Sequence, residues 1–212
     1  MNLSELGLFP SVQRPIDARL FRGIMIGDSK EVSDALGDGA DSNAKDSYSN
    51  GSASHWAAVY NRQDILRVLS EHGAKLDAVD NRGERPAHWA ASHGALESLR
   101  FLKDKKVDLD AKALNGWTPL YRAAFHSRTE AAAYLLEQEA VANSTDTRNQ
   151  HTTLHIAAEN GNYRVVELLL MHGARANVID ANGKTPERLA RDSRHMAVAR
   201  LIANYNCLEV RE

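Results

Sequence analysis

The chain has 212 residues, of which 43% are hydrophobic and 25% are charged, a composition typical of a folded globular protein rather than of a disordered segment. Its 26 basic side chains face 28 acidic ones, whereas a domain that binds phosphate backbones has a clear excess of Lys and Arg, so nucleic acid is not expected as a partner. The single cysteine, Cys207, excludes an intramolecular disulfide and a cysteine-only metal site.

The sequence also lacks the patterns of a membrane or secreted protein. No apolar run approaches the roughly 20 residues that a helix needs to span a bilayer. Residues 1–5 lack the basic and apolar regions that begin a secretory signal. We therefore expect a cytoplasmic protein without a membrane partner.

One short phrase, His-x-Ala-Ala or Tyr-x-Ala-Ala, returns four times along the chain. Its variable residue falls at positions 56, 89, 122 and 156, so the period is 33 or 34 residues. A Gly-Ala pair keeps step with this phrase and is followed by a polar stretch that ends in aspartate, as at Asp80. Between the two phrases, apolar residues such as Ile65, Leu66 and Leu69 follow helical spacing. Each unit is therefore predicted as a helix, a tight turn, a second helix and a polar loop.

These residues resemble the ankyrin repeat, whose signature is a 33-residue period with T-P-L-H-x-A, a β-turn and two helices. The closest single match is the segment TPLYRA at residues 118–123. The resemblance implies an all-α fold, an ankyrin-repeat solenoid of helix-turn-helix units with β-turn or hairpin loops. We expect about six units, two of which are degenerate caps with a polar outer face.

The phase of the repeat predicts the boundaries in chain order. They are an N-terminal extension at 1–16, a degenerate N-capping repeat at 17–46, ankyrin repeats at 47–80, 81–113, 114–147 and 148–180, a C-capping repeat at 181–205 and a tail at 206–212.

Two departures from the family pattern are visible. The repeats at 47–80 and 148–180 carry one extra residue ahead of the phrase, so their loops are expected to be longer or bent. Lys106 and Glu139 stand where glycine ends the second helix in other units. A left-handed conformation there would cost about 1 kcal/mol.

The nine histidines do not form a recognisable metal site. Three occupy the phrase position, where the resemblance implies that they tie adjacent loops through backbone hydrogen bonds: His55, His88 and His155. His72 and His172 precede the glycine that ends a helix, where a polar side chain suits the helix C-terminus. The remaining four lie in different repeats without i, i+4 pairing: His93, His126, His151 and His195. No metal or cofactor is expected.

Catalytic motifs are also missing, since no serine lies in a Gly-x-Ser-x-Gly elbow and no glycine-rich loop opens a helix after a strand. The chain is therefore not predicted to be an enzyme.

The resemblance implies that a partner binds the concave face, which the loop tips and the exposed side of each first helix would line. Large aromatic residues occur there where the scaffold accepts small polar ones, and exposed aromatic clusters are typical of protein interfaces. For Tyr48, packing on a neighbouring repeat is the alternative. The predicted protein-binding residues are Tyr48, Tyr60, Arg82, Glu84, His93, Trp117, Phe125, His126, Arg148 and His151.

Three further residues occupy the variable position of the phrase. Trp56 and Trp89 are expected to be half-buried core residues, whereas Arg122 either extends past a neighbour or belongs to the binding face.

The sequence thus predicts a protein–protein interaction module that is monomeric when free and binds another protein. An adaptor, an inhibitor, a regulatory subunit and an effector all remain open. The alternative is a structural protein that associates with itself, because residues 1–46 carry a net charge of −3 and residues 181–205 one of +3.

Overall fold

The computed structural model describes residue 12 and residues 14–209, with side chains as far as residue 206. Most of the predicted N-terminal extension and most of the predicted tail, including the Cys207 side chain, lie outside the described residues. Within the described part of the chain there are twelve α-helices and no strand, so the predicted all-α fold of helical pairs is confirmed.

The chain divides into two compact units, unit 1 at residues 1–108 and unit 2 at residues 109–212. Unit 1 contains α1 (Pro15–Ile26), α2 (Ser29–Gly37), α3 (Ala53–Val59), α4 (Gln63–Glu71), α5 (Pro86–His93) and α6 (Leu96–Asp104). Unit 2 contains α7 (Pro119–Phe125), α8 (Thr129–Glu137), α9 (Thr153–Glu159), α10 (Tyr163–Met171), α11 (Pro186–Asp192) and α12 (Met196–Glu209).

Each unit has two layers of helices. In unit 1 the first helices of the pairs, α1, α3 and α5, pack on one another, and the second helices, α2, α4 and α6, form a layer behind them. Unit 2 repeats this arrangement, with α7, α9 and α11 in the first-helix layer and α8, α10 and α12 in the second-helix layer.

The alanine pairs explain how closely the first helices pack. All eight alanines are fully buried: Ala57, Ala58, Ala90, Ala91, Ala123, Ala124, Ala157 and Ala158. The second helices contribute larger apolar side chains, among them Ile65, Leu66 and Leu69, which are also fully buried. Burial of each such side chain stabilises the fold by about 1.5–3 kcal/mol. The core is formed where successive helical pairs stack on one another.

The first helices begin at well-formed caps. The Thr118 hydroxyl accepts a hydrogen bond from the backbone N–H of Tyr121, and Pro119 occupies the first helical turn, where its missing N–H needs no partner. Thr185 caps α11 in the same way through the N–H of Arg188. These caps fix where the preceding loops end.

The phrase histidines join successive loops, as the resemblance implied. In unit 1 the Nδ1 atom of His55 accepts the N–H of Ser52, and its Nε2 donates to the carbonyl oxygen of Glu84 at 3.0 Å. In unit 2 the Nε2 of His155 donates to the carbonyl oxygen of Lys184 at 3.1 Å. Both imidazole rings are therefore neutral, and each links two loops by hydrogen bonds.

The two sequence departures have the expected backbone consequences. Lys106 and Glu139 adopt left-handed conformations, with φ of 61° and 65°. The extra loop residues Asn50 and Gln150 are also left-handed, with φ of 59° and 55°, and isolated bridges at 45–52 and 145–152 close these loops.

The terminal helices extend beyond the predicted caps. Helix α1 begins at Pro15, before residue 17, because a proline is well placed in a first helical turn. Helix α12 continues to Glu209, past residue 205. The boundaries of the inner repeats stay a prediction.

Helix α12, with 14 residues, is the longest of the described helices. None of the helices in the described residues combines the length and the apolar character that crossing a bilayer requires.

A glycine in unit 2 is required by both its backbone and its neighbour. Gly161 has a φ of 72° in the turn between α9 and α10, and an added Cβ would collide with the imidazole ring of His195. Gly183 has the same φ of 72°, but a Cβ there would meet no atom within 4 Å. Substitution at Gly183 therefore tests backbone strain alone, whereas substitution at Gly161 tests backbone strain together with a steric clash.

We expect Gly183→Ala to lower the free energy of unfolding by about 1 kcal/mol through backbone strain alone. Gly161→Ala should lower it by about 2–4 kcal/mol, because the His195 ring must also move. Urea denaturation of both variants measures the difference, and equal losses would contradict the packing role of Gly161.

The buried histidines predict acid sensitivity. Burial lowers the pKa of His55 and of His155 below the ordinary value of 6.5, although the carbonyl groups of Glu84 and Lys184 act in the opposite direction. The unfolded chain therefore binds protons at a higher pH than the folded chain. The contribution of these two neutral rings to the free energy of unfolding is fully present above about pH 6.5 and is lost as the pH falls below it.

We expect the free energy of unfolding to fall by up to about 1.4 kcal/mol per pH unit for each of these two rings below about pH 6.5. Urea denaturation at about pH 7.5 and about pH 5.5 tests this, and His155→Gln should give a shallower decline. A stability that is constant or rises between the two pH values is the contrary result.

Candidate protein-binding surfaces

Four aromatic side chains in unit 1 contact one another and form what we call the Trp56 cluster. The Trp56 ring centroid lies 6.4 Å from Phe21 and 5.8 Å from Trp89, both edge-on, and 6.1 Å from Tyr60. Phe21 is fully buried, and Trp56 and Trp89 are half-buried, as predicted for the two indoles. Tyr60 remains 37% exposed and is the member that a partner can reach.

Buried carboxylates orient both indoles of this cluster. The Nε1 of Trp56 donates to Oδ2 of Asp46 at 3.1 Å, and that of Trp89 donates to Oδ2 of Asp80 at 3.0 Å. Each aspartate lies in the loop that precedes the helix carrying its indole. The loops and the aromatic rings of unit 1 are therefore fixed to each other.

The loop at residues 46–51 is closed around the Asp46 carboxylate. Its two oxygens accept hydrogen bonds from the backbone N–H groups of Tyr48, Ser49 and Gly51, from the Ser49 hydroxyl and from the Trp56 indole, at 2.6–3.1 Å. Burial raises the pKa of Asp46, but these donors outweigh burial and hold the pKa below its ordinary value. The carboxylate is thus a fixed charge at the centre of the loop.

This rigid loop presents Tyr48 to solvent. The side chain is 92% exposed, so the alternative that Tyr48 packs on a neighbouring repeat is wrong. The carbonyl oxygen of Tyr48 also accepts a hydrogen bond from Nδ2 of Asn81 at 3.3 Å. Its backbone is held on both sides while the phenol ring is free for a partner.

Three aromatic rings in unit 2 form a second array, which we name the Trp117 ladder. The Trp117 ring stacks on Tyr121 at 5.0 Å and lies 5.4 Å from Phe125. Arg122 places its guanidinium 5.4 Å from the centroid of the Trp117 ring and is half-buried. Trp117 is half-buried, whereas Phe125 is 37% exposed, so a partner can contact the Phe125 end of the ladder.

Carboxylates also border the Trp117 ladder. The hydroxyl of Tyr121 donates to Oδ2 of Asp146 at 3.1 Å. Burial raises the pKa of Tyr121 well above its ordinary value, and the charges of Asp146 and Glu159 raise it further. Tyr121 therefore stays protonated and donates a hydrogen bond to Asp146.

The turns on either side of this surface are fastened together. Nδ2 of Asn160 donates to the carbonyl oxygen of Phe125 at 3.0 Å, and Nδ2 of Asn162 donates to that of Ala124 at 2.7 Å. The Ser127 hydroxyl donates to Oδ1 of Asn162 at 2.6 Å. The end of α9, which carries Glu159, is thereby held beside the end of α7, which carries Phe125.

The other predicted binding residues divide into exposed and buried ones. Four are exposed: Arg82, His93, His126 and Arg148. His126 also contacts the Phe125 ring edge-on, with centroids 5.0 Å apart. The exposed residues stay candidates for contact with a partner.

Glu84 and His151 require correction, because neither lies on an exposed loop tip. Glu84 is 2% exposed, its N–H donates to Asp80, and its carbonyl oxygen accepts from His55. His151 is 7% exposed, its Nε2 lies 3.1 Å from Oδ2 of Asp180, and its ring stacks on that of His155. Both positions end a closed loop, and hydrogen bonds turn them inward.

The sequence analysis missed the part that Tyr121 takes in this surface, although a signal was present. Tyr121 and Phe125 are four residues apart, a spacing that places side chains on one side of a helix. The place of Tyr121 in the repeated phrase by itself indicates only a structural role. Arg122 extends past a neighbouring side chain, as one of its two predicted alternatives required, since the residue is half-buried and its guanidinium lies over Trp117. Its place at the Trp117 ladder also fits the other alternative, a part in the binding face.

Across the described residues, no three His, Cys, Asp or Glu side chains are grouped so that they could hold a metal ion. His195, one of the four histidines outside the repeated positions, packs against Gly161. The chemistry that these surfaces offer is therefore aromatic, cationic and carboxylate contact.

Comparison with known proteins identifies the repeat. The family described as "Ankyrin repeats (3 copies)" matches overlapping segments at residues 20–113, 76–146, 101–180 and 138–210, which together cover most of the chain.

Short parts of several larger proteins are also similar to this chain. Over 48 residues, 23% of this chain, it is 46% identical to 7% of the ARF GTPase-activating protein Git of Drosophila melanogaster. Over 60 residues, 28% of the chain, it is 43% identical to 16% of the putative E3 ubiquitin-protein ligase XBAT34 of Arabidopsis thaliana. Over 65 residues, 31% of the chain, it is 34% identical to 6% of Rabankyrin-5 of Mus musculus. The matched segments are thus small parts of these relatives.

The carboxylate-centred loop gives a matched pair of variants in unit 1. We expect Asp46→Ala to lower the free energy of unfolding by about 2–4 kcal/mol, because it removes five hydrogen bonds, one of them to a half-buried indole. Tyr48→Ala should change it by less than about 0.5 kcal/mol, since the side chain is exposed. Urea denaturation measures both, and similar losses would refute the organising role of Asp46.

Proposed function

The chain belongs to the ankyrin repeat family, whose repeats are generic protein–protein interaction modules, and from this we propose that it binds a partner protein through its exposed aromatic side chains. The proposed contacts lie on the first-helix layer and at the loop tips. An adaptor, an inhibitor, a regulatory subunit and an effector would all use this surface chemistry.

The observation that carries this proposal is the Trp117 ladder in unit 2. The Trp117 ring stacks on Tyr121 and lies tilted against Phe125, yet Phe125 remains 37% exposed. Stability alone does not require an aromatic residue at a position that solvent reaches. An exposed ring backed by two further rings is a rigid apolar surface, as is typical of the anchor residues in protein interfaces.

Unit 1 offers its own contacts at Tyr48 and Tyr60. The Asp46 loop holds Tyr48 in one backbone geometry, and the Trp56 cluster supports Tyr60. A partner that binds these rings would order few groups of this chain. The conformational entropy cost of association is correspondingly small.

Repeats of this family are typically not enzymes. The aromatic surfaces fit the same assignment, because they offer anchors for a protein rather than an enclosed site for a reaction. Binding, not catalysis, is therefore the function we assign to them.

The test is a double variant, Trp117→Ala plus Phe125→Ala, compared with Tyr163→Ala plus Met171→Ala. The second pair is a matched control, because both side chains are exposed apolar groups of α10 in the second-helix layer of the same unit. We expect proteins captured from a cell lysate by the unaltered chain to bind the first variant at least about 30-fold more weakly. The control should capture them unchanged.

Phe125→Ala alone keeps this test informative if loss of the half-buried Trp117 destabilises unit 2. Circular dichroism and thermal unfolding establish that each variant is folded. Equal capture by the unaltered chain and by Phe125→Ala and the double variant would refute the proposal. Sedimentation across a range of concentrations separates it from self-association, since we expect a monomer when no partner is present.

A further inference from the structure

Phe125, which is 37% exposed, and Glu159, which is half-buried, lie at neighbouring helix ends of unit 2. They occupy the same position in consecutive repeats, at the ends of α7 and α9. The hydrogen bond from Asn160 to the carbonyl oxygen of Phe125 fixes these helix ends side by side. We call the two side chains the Phe125–Glu159 surface.

The Glu159 carboxylate has no ion pair with any residue in the part of the chain that the structure describes. It is half-buried, and its negative charge helps to raise the pKa of Tyr121. The neighbouring carboxylate, Asp146, differs because its oxygens already accept from Tyr121, Arg148 and Asn149. Glu159 is thus the carboxylate at this surface that is open to an external cation.

The ring side of the surface favours the same kind of ligand. The face of an aromatic ring attracts a cation, and the aliphatic stem of Lys or Arg covers apolar surface while its charged end reaches a carboxylate. Arg122 already occupies a position over Trp117, at 5.4 Å from the ring centroid. The place left for a partner's cation is therefore at Phe125, beside Glu159.

Unit 1 lacks this combination at the corresponding positions. Val59 stands in the repeat position of Phe125, and Ser92 stands in that of Glu159. Neither residue offers a ring or a charge. The pairing is consequently a property of one place in the repeat array rather than of the ankyrin scaffold.

We infer that the Phe125–Glu159 surface receives an arginine or lysine side chain of a partner segment in which an apolar residue is adjacent. This inference rests on the proposed protein-binding function and adds the chemistry of the partner to it. The partner's cation pairs with the Glu159 carboxylate, its stem lies on the Phe125 ring, and its apolar neighbour contacts the exposed part of Trp117.

The experiment uses a library of random peptides displayed on phage, selected on the full chain. We expect the selected peptides to contain an excess of Arg and Lys next to aliphatic or aromatic residues. The same selection on Glu159→Lys should lose this excess and favour Asp and Glu, because the charge at the surface is reversed. Glu137→Lys is the matched control, since Glu137 is exposed on α8 of the same unit, and it should select peptides like those of the unaltered chain.

Affinities of a selected synthetic peptide give the size of the effect. We expect Glu159→Gln to weaken binding by about threefold to tenfold, with a smaller difference at high salt. Glu137→Gln should leave the affinity unchanged.

The outcomes separate this inference from the function on which it rests. If no peptide is selected, or if the selected peptides show no excess of basic residues, the inference is overturned. Peptides that need Trp117 and Phe125 but are indifferent to Glu159 would also overturn it, while the proposed function would stand. Peptides that bind the Trp117→Ala plus Phe125→Ala variant equally well would count against both.

Discussion

A buried loop carboxylate holds each of these surfaces in place. Four aspartates each accept backbone N–H groups of their own loop and a side-chain donor from a ring of unit 1 or unit 2: Asp46, Asp80, Asp146 and Asp180. The side-chain donors belong to Trp56, Trp89, Tyr121 and His151. A carboxylate buried without such donors would cost several kcal/mol, so the loop closes and the ring is oriented together.

The hairpin at residues 113–117 shows what happens when the carboxylate is missing. Ala113 stands in the aspartate position, and the N–H of Trp117 donates instead to Oδ1 of Asn115 at 3.1 Å. The Trp117 indole stacks on Tyr121, and the guanidinium of Arg122 lies over its ring. Stacking leaves the ladder open at Phe125, where the proposed partner binds.

The sequence predicted the residues whose role depends on their position in the period. The buried alanine pairs and the left-handed Lys106 and Glu139 follow from that position, and the family resemblance implied that His55 and His155 bridge loops. The candidate surface was harder to predict, because exposure depends on hydrogen bonds between loops that are about 30 residues apart. Glu84 and His151 have polar side chains in a polar loop, and nothing local indicates that they turn inward.

The fold family and the positions of the aromatic residues follow from the sequence, because the period, the alanines and the capping residues act within one repeat or on the next. Which of those residues are exposed depends on the contacts between repeats. His151 is buried against Asp180, Tyr48 is exposed on a closed loop, and the end of α9 is held beside the end of α7. The physical reason is that burial and charge pairing depend on how successive repeats register, which no single repeat encodes.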